Sequence, residues 1–167
     1  LWNRRVTAFR MEGHLCSRRR YVTKMTDAHQ RPTREPNAEN FMAFVLANPV
    51  NRALLERLPA LGLPDSALVA GCLFQSVWNG LTGNDPTHRI GDYDVSYCDL
   101  DDLSWDAEDR VIRRCADAFA DLRVDDQPVD VQVRNQARVH LWYGDHFGVP
   151  TDPLLSTNDG IDGYLNE

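Results

Sequence analysis

The stretch Ile90-Gly91-Asp92-Tyr93-Asp94-Val95-Ser96-Tyr97 sets two carboxylates one residue apart at the head of an alternating apolar run. Such alternation reads as a β-strand. On a strand, residues i and i+2 point to one face, so Asp92 and Asp94 present their carboxylates side by side. Like charges that close repel. A hard divalent cation between them makes the arrangement favourable, because Mg²⁺ is held by one or two carboxylates together with water and substrate phosphates. Taken alone, an Asp-x-Asp pair is more often two solvated turn or strand-edge residues.

Its upstream context narrows the reading. Ala67-Leu68-Val69-Ala70-Gly71-Cys72-Leu73-Phe74-Gln75-Ser76-Val77-Trp78-Asn79 is a short apolar strand ending at Gly71, followed by a segment that turns helical. A glycine at a strand-to-helix turn lets the backbone pass close to a ligand, and the helix behind it offers N–H groups and a positive dipole end to a phosphate. Strand, glycine, helix and then Asp-x-Asp on a second strand is a layout for phosphate and metal.

A third strand is expected over 129–134, where Val129, Val131 and Val133 point one way and Asp130, Gln132 and Arg134 the other. A polar face on an otherwise buried strand marks a site, since burying such groups without partners is costly. Asp130 is therefore the natural third carboxylate.

On these motifs the chain resembles nucleotidyltransferase-fold proteins once catalogued as a domain of unknown function, relatives of the DNA polymerase β and kanamycin nucleotidyltransferase superfamily. The likeness rests on Ala70-Gly71-Cys72, Val77-Trp78-Asn79, Asp92-Tyr93-Asp94-Val95 with Tyr97 and Asp99 behind, and Asn135-Gln136-Ala137-Arg138-Val139-His140-Leu141-Trp142-Tyr143. The resemblance implies an α+β fold, a small mixed sheet flanked by helices, with its carboxylates at one end. It implies transfer of a nucleoside monophosphate from a nucleoside triphosphate to a small-molecule or protein acceptor. Asp92, Asp94 and Asp130 would act as catalytic, Mg²⁺- or Mn²⁺-binding residues, and Gly71, Cys72, Gln75 and Arg138 would meet the nucleotide. Two positions depart from the pattern. The family's third acid falls where Gln132 stands, and Cys72 occupies a place that usually holds Gly or Ser. Both departures keep open a catalytically weak nucleotide-binding or interaction module. A carboxylate-metal phosphohydrolase shares the Asp-x-Asp logic but leaves the glycine turn unexplained.

Around this centre the sequence predicts a helix over 39–47, a second helix capped by Asn48 with Pro49 at its first position, a strand near 67–70 and a helix over 73–82. A strand at 93–98 and a helix over 104–121 opened by Ser104 follow, with Asp106, Glu108 and Asp109 favourably placed in its first turn. The spacing of Leu73, Phe74, Val77, Trp78 and Leu81 makes one apolar face and assigns Trp78 to the core rather than to a nucleobase platform. Arg138 is equally compatible with a triphosphate contact and with a fold-holding salt bridge. His140 reads as a satisfied core or helix-end residue, and Ser156 as the cap of a last helix.

Charge separates the ends of the chain. Residues 1–24 hold seven Lys/Arg and one acid, a balance of +6 against −7 for the whole chain, which leaves −13 on the remainder. Residues 1–36 are accordingly read as a basic and polar extension outside the domain, disordered or non-native, with Met25 or Met11 as the natural start. The domain is placed at 37–167, truncated at its C-terminal end. The acidic body has no basic stripe to replace phosphate counterions, which argues against nucleic acid as partner. Cys16, Cys72, Cys98 and Cys115 lack the close pairs of a zinc or redox site and point to reduced thiols in a cytoplasmic protein. No apolar run reaches the roughly 18–20 residues of a membrane span.

Overall fold

The structure is a computed structural model that describes residues 8–9 and 37–163. Asn37 opens α1 (Ala38–Ala47) by accepting the Asn40 N–H on its side chain. Asn48 does the same for α2 (Pro49–Leu61), taking the N–H groups of Val50 and Asn51, with Pro49 where a helix needs no N–H. After Gly62, whose φ of 58° ends α2 in the left-handed region, come β2 (Ala67–Val69), α3 (Gly71–Thr82) and β3 (Tyr93–Tyr97). Ser104 caps α4 (Trp105–Phe119), which crosses over to β6 (Val131–Asn135). Between them Asp125 and Asp126, both at positive φ, turn a two-residue hairpin of β4 (Arg123–Val124) and β5 (Gln127–Pro128). A 3₁₀ segment Gln136–Leu141, α5 (Tyr143–Phe147) and α6 (Thr157–Gly163) complete the described chain.

The main sheet runs β1-β2-β3-β6, where β1 is Ala8–Phe9. Its β1/β2 and β2/β3 pairs are antiparallel and β3/β6 is parallel. This is the expected α+β architecture. Of the predicted extension at 1–36, Ala8 and Phe9 pair with Leu68 and Val69; the remainder lies outside the described residues.

One face of the sheet carries the core. Leu68, Val95, Tyr97 and Val133 pack with Val45, Leu54, Leu73, Cys115 and Phe119 of the helices. The other face is polar except under α6, where Ile161 covers Ala67 and Val69. Among the described residues no helix is long and apolar enough to cross a membrane.

Trp78 is not in the core: it is 64 % exposed, and Phe74 one turn earlier is 47 % exposed. The buried side of α3 runs instead through Cys72, Leu73, Ser76, Val77 and Asn79. Its polar members are satisfied. The Ser76 hydroxyl accepts from the amides of Asn48 and Asn51 and donates to the Cys72 carbonyl. A helix that buries Ser and Asn turns its apolar stripe partly outward, which the hydrophobic period alone does not reveal. Close approach sets the other contact of α3: a Cβ on Gly80 would lie 1.9 Å from the Phe44 ring of α1.

Candidate active site

Register brings the expected residues to one end of the sheet. Asp94 pairs with Val69 on one side and with Gln132 on the other, so the C-terminal end of β2 and the N-terminal ends of β3 and β6 meet. Gly71 follows β2 after the single residue Ala70, and Asp92 and Asp130 precede their strands at the same level; Tyr93 N–H donates to the Asp130 carbonyl at 2.9 Å. Asp94, Gln132 and Arg134 share the polar face.

The turn into α3 is strained one residue earlier than the sequence suggested. Ala70, not Gly71, takes the unusual backbone (φ 61°, ψ −138°), a region that glycine alone enters without cost. Gly71 has open space where a Cβ would be. The intrahelical bonds of α3 begin with Leu73 N–H on the Ala70 carbonyl, so the N–H groups of Gly71 and Cys72 precede them at the positive end of the helix. The Cys72 side chain is engaged by the backbone: its buried thiol donates to the Val69 carbonyl at 3.3 Å, and burial pushes it up to about 12.

Gln75, expected at the nucleotide, donates instead to Asn79 Oδ1 at 2.9 Å. Asn79 in turn donates to the carbonyls of His88 (2.8 Å) and Pro86 (3.3 Å), and Asn48 also reaches Pro86 (3.2 Å). These two buried asparagines hold the loop that delivers Asp92. Asn48 was legible only as a helix cap, and the signal for Asn79 is an asparagine one turn from Ser76 in an otherwise apolar helix.

Arg138 lies elsewhere. It is 8 % exposed, ion-paired to buried Glu108 of α4, donates from Nε to the Leu103 carbonyl at 2.9 Å and stacks over Trp105 at 5.3 Å. Glu108 also accepts the Asn135 N–H, and Asn135 clasps the backbone of Asp99 from both sides. Of the two roles open to Arg138, the structure supplies the fold-holding one. Glu108 is correspondingly more than a first-turn acid.

The carboxylates do not close into a trio. Gln132 Nε2 stands between Asp92 Oδ2 (3.2 Å) and Asp130 Oδ2 (3.4 Å), and among the described residues no group of three His, Cys, Asp or Glu side chains could hold a metal ion. Asp130 falls one residue before β6, where its side chain is exposed and an amide fills the inner position. The expected three-carboxylate centre is not formed among the described residues, and the oxygen donors of Asp92 and Asp94 are of the chemistry that a hard cation takes. Asp94 is half-buried, and its carboxyl is raised above the ordinary range by burial first and by the charge of Asp92 second, against the pull of Arg134. A cation would relieve that cost.

A strand-turn-helix element with two aspartates at the head of the neighbouring strand is the layout of the nucleotidyltransferase class. Residues 56–167 match the nucleotidyltransferase family, and the chain belongs to it. A solved NMR structure, described as revealing a CCA-adding enzyme head domain, is similar with 26 % identity and a TM-score of 0.60 over 81 % of this chain. The chain spans 63 % of that structure's length. No curated protein matches.

Proposed function

We propose that the protein moves a nucleoside monophosphate from a nucleoside triphosphate to an acceptor hydroxyl. The observation that carries this reading is the placement of Asp92 and Asp94 at the head of the strand beside the Ala70–Cys72 turn. The N–H groups at the start of α3 take the triphosphate, and the aspartate pair faces its α-phosphorus. Asp92 and Asp94 would hold Mg²⁺ or Mn²⁺, which when bound supplies charge stabilisation for the phosphoryl oxygens. The acceptor hydroxyl gives up its proton to solvent as its oxygen bonds to the α-phosphorus, the bond to the bridging oxygen breaks, and pyrophosphate leaves with that electron pair. Asp130 and Gln132 border the side from which the acceptor enters. The free thiols of Cys72, Cys98 and Cys115 agree with a reducing, cytoplasmic setting.

Calorimetric titration of Mg·ATP and Mg·CTP into the wild type and into Asp92→Asn/Asp94→Asn, with a denaturation curve for each, tests this. The double variant should lose metal-dependent binding and be as stable as the wild type or slightly more so, since it removes a like-charge pair. Equal affinities with and without metal in both proteins would rule the reading out. The Gln132 amide between Asp92 and Asp130 favours a second reading, a nucleotide-binding module of weak activity. Metal-dependent binding without pyrophosphate release under any acceptor would establish that one.

A further inference from the structure

The strand order places one cation on the far side of the aspartates from the phosphate cradle. Gly71 lies just after β2, Asp94 in β3 and Arg134 in β6, so the cradle and Arg134 lie on opposite sides of β3, on strands roughly 10 Å apart. Arg134 pairs with Ser96 and sits two residues beyond Gln132, hence on the same polar face as Asp94 and one step farther along it. It is exposed, and it lowers the Asp94 carboxyl through charge, which places the two within each other's field. One of its N–H groups donates, from Nη1 to the Val133 carbonyl at 3.0 Å. Among the described residues the ion pairs of arginine involve Arg57, Arg110, Arg113 and Arg138, not Arg134.

Displacement at phosphorus is in line: the leaving group departs on one side and the acceptor enters from the other. With the triphosphate on the Gly71 side, Arg134 faces the acceptor. We propose that the acceptor is a small anion and that Arg134 receives its oxyanion group, a phosphate or a carboxylate, through the planar donor fork that suits either. The proposal rests on the nucleotidyl-transfer reading above. The remaining charge selects for size. One guanidinium beside three aspartates, in a body of net −13, matches a single anionic group and repels a polyanion.

The experiment uses the full chain saturated with Mg²⁺ and an α,β-methylene nucleoside triphosphate, and follows the Arg134 Nε–H signal by NMR as inorganic phosphate or acetate is added. A saturable shift of Arg134 is expected with one or both, and the two arms separate phosphate from carboxylate. Arg134→Gln should abolish saturable binding of the same anion in calorimetric titration while keeping nucleotide affinity within about twofold, and Arg134→Lys should retain part of that binding. A loss of nucleotide affinity of about tenfold or more in Arg134→Gln would put the guanidinium on the triphosphate and overturn the proposal. So would the absence of any saturable shift, which leaves Arg134 as a charge balance for Asp94, or a stronger response to a short oligoribonucleotide than to phosphate. Failure of the underlying reading shows separately, as wild-type protein that binds no nucleotide in a metal-dependent way.

Discussion

The carboxamide of Gln132 donates to Asp92 Oδ2 across 3.2 Å, in the place where a third acid would complete a metal centre. Gln132→Glu removes that donor and adds a charge beside Asp92 and Asp130. The variant should be less stable than the wild type by about 1 kcal/mol without metal, through like-charge repulsion, and should bind Mn²⁺ more tightly. Urea denaturation and electron paramagnetic resonance of free Mn²⁺ read the two effects. Weaker Mn²⁺ binding in Gln132→Glu would show that the amide itself is part of the cation site.

Asp94 sets the pH response. Its carboxyl is raised in the folded chain, so between the unfolded and folded values the native state holds the proton more firmly than the unfolded one. Its contribution to stability is therefore greatest at low pH and is lost as pH rises through the raised value. Cation affinity runs the other way and falls as pH drops through that value. Mn²⁺ titrations should lose affinity at a higher pH than an ordinary aspartate (about 3.9) would give, and Asp94→Asn should flatten the stability profile in the same range.

The Glu108–Arg138 pair predicts a fold defect without a binding defect. Its side chains are 4 % and 10 % exposed, and removing one partner strands a buried charge at a cost of about 3–5 kcal/mol. Arg138→Gln should show that loss in denaturant while the folded fraction binds nucleotide as the wild type does. A variant of full stability with weakened nucleotide binding would return Arg138 to the site.

Gly80→Ala places a methyl group against Phe44, and overpacking of this kind costs about 1–3 kcal/mol. Adding Phe44→Leu should recover part of the loss. Thermal melts of the single and double variants measure the coupling; independent effects would mean that α1 moves away freely.

Much of the fold could be read from the chain because its signals are local. The period-two run from Asp92, the caps at Asn48 and Ser104 and the turn before β6 each depend on residues a few positions apart. The aspartate pair was legible for the same reason. What escaped depends on partners far along the chain. Arg138 finds Glu108 thirty residues away, Gln75 is occupied by an asparagine whose other bonds reach a loop, and Trp78 turns outward because Ser76 and Asn79 have buried partners at the start of α2 and in the following loop. Gln132 was visible as a departure, but its position between two carboxylates follows from the parallel register of β3 and β6.

The asparagine clamp on the loop before Asp92 governs how this segment can drift over generations. Asn48 and Asn79 grip the carbonyls of Pro86 and His88, groups that every amino acid carries. Side chains between Asn84 and Gly91 are thus free to be exchanged, apart from those that shape the turn and Ile90, which packs against the core. The number of residues is not. One inserted or deleted position would shift the gripped carbonyls relative to β3, so lineages of this chain should vary in spelling across the loop while keeping its length.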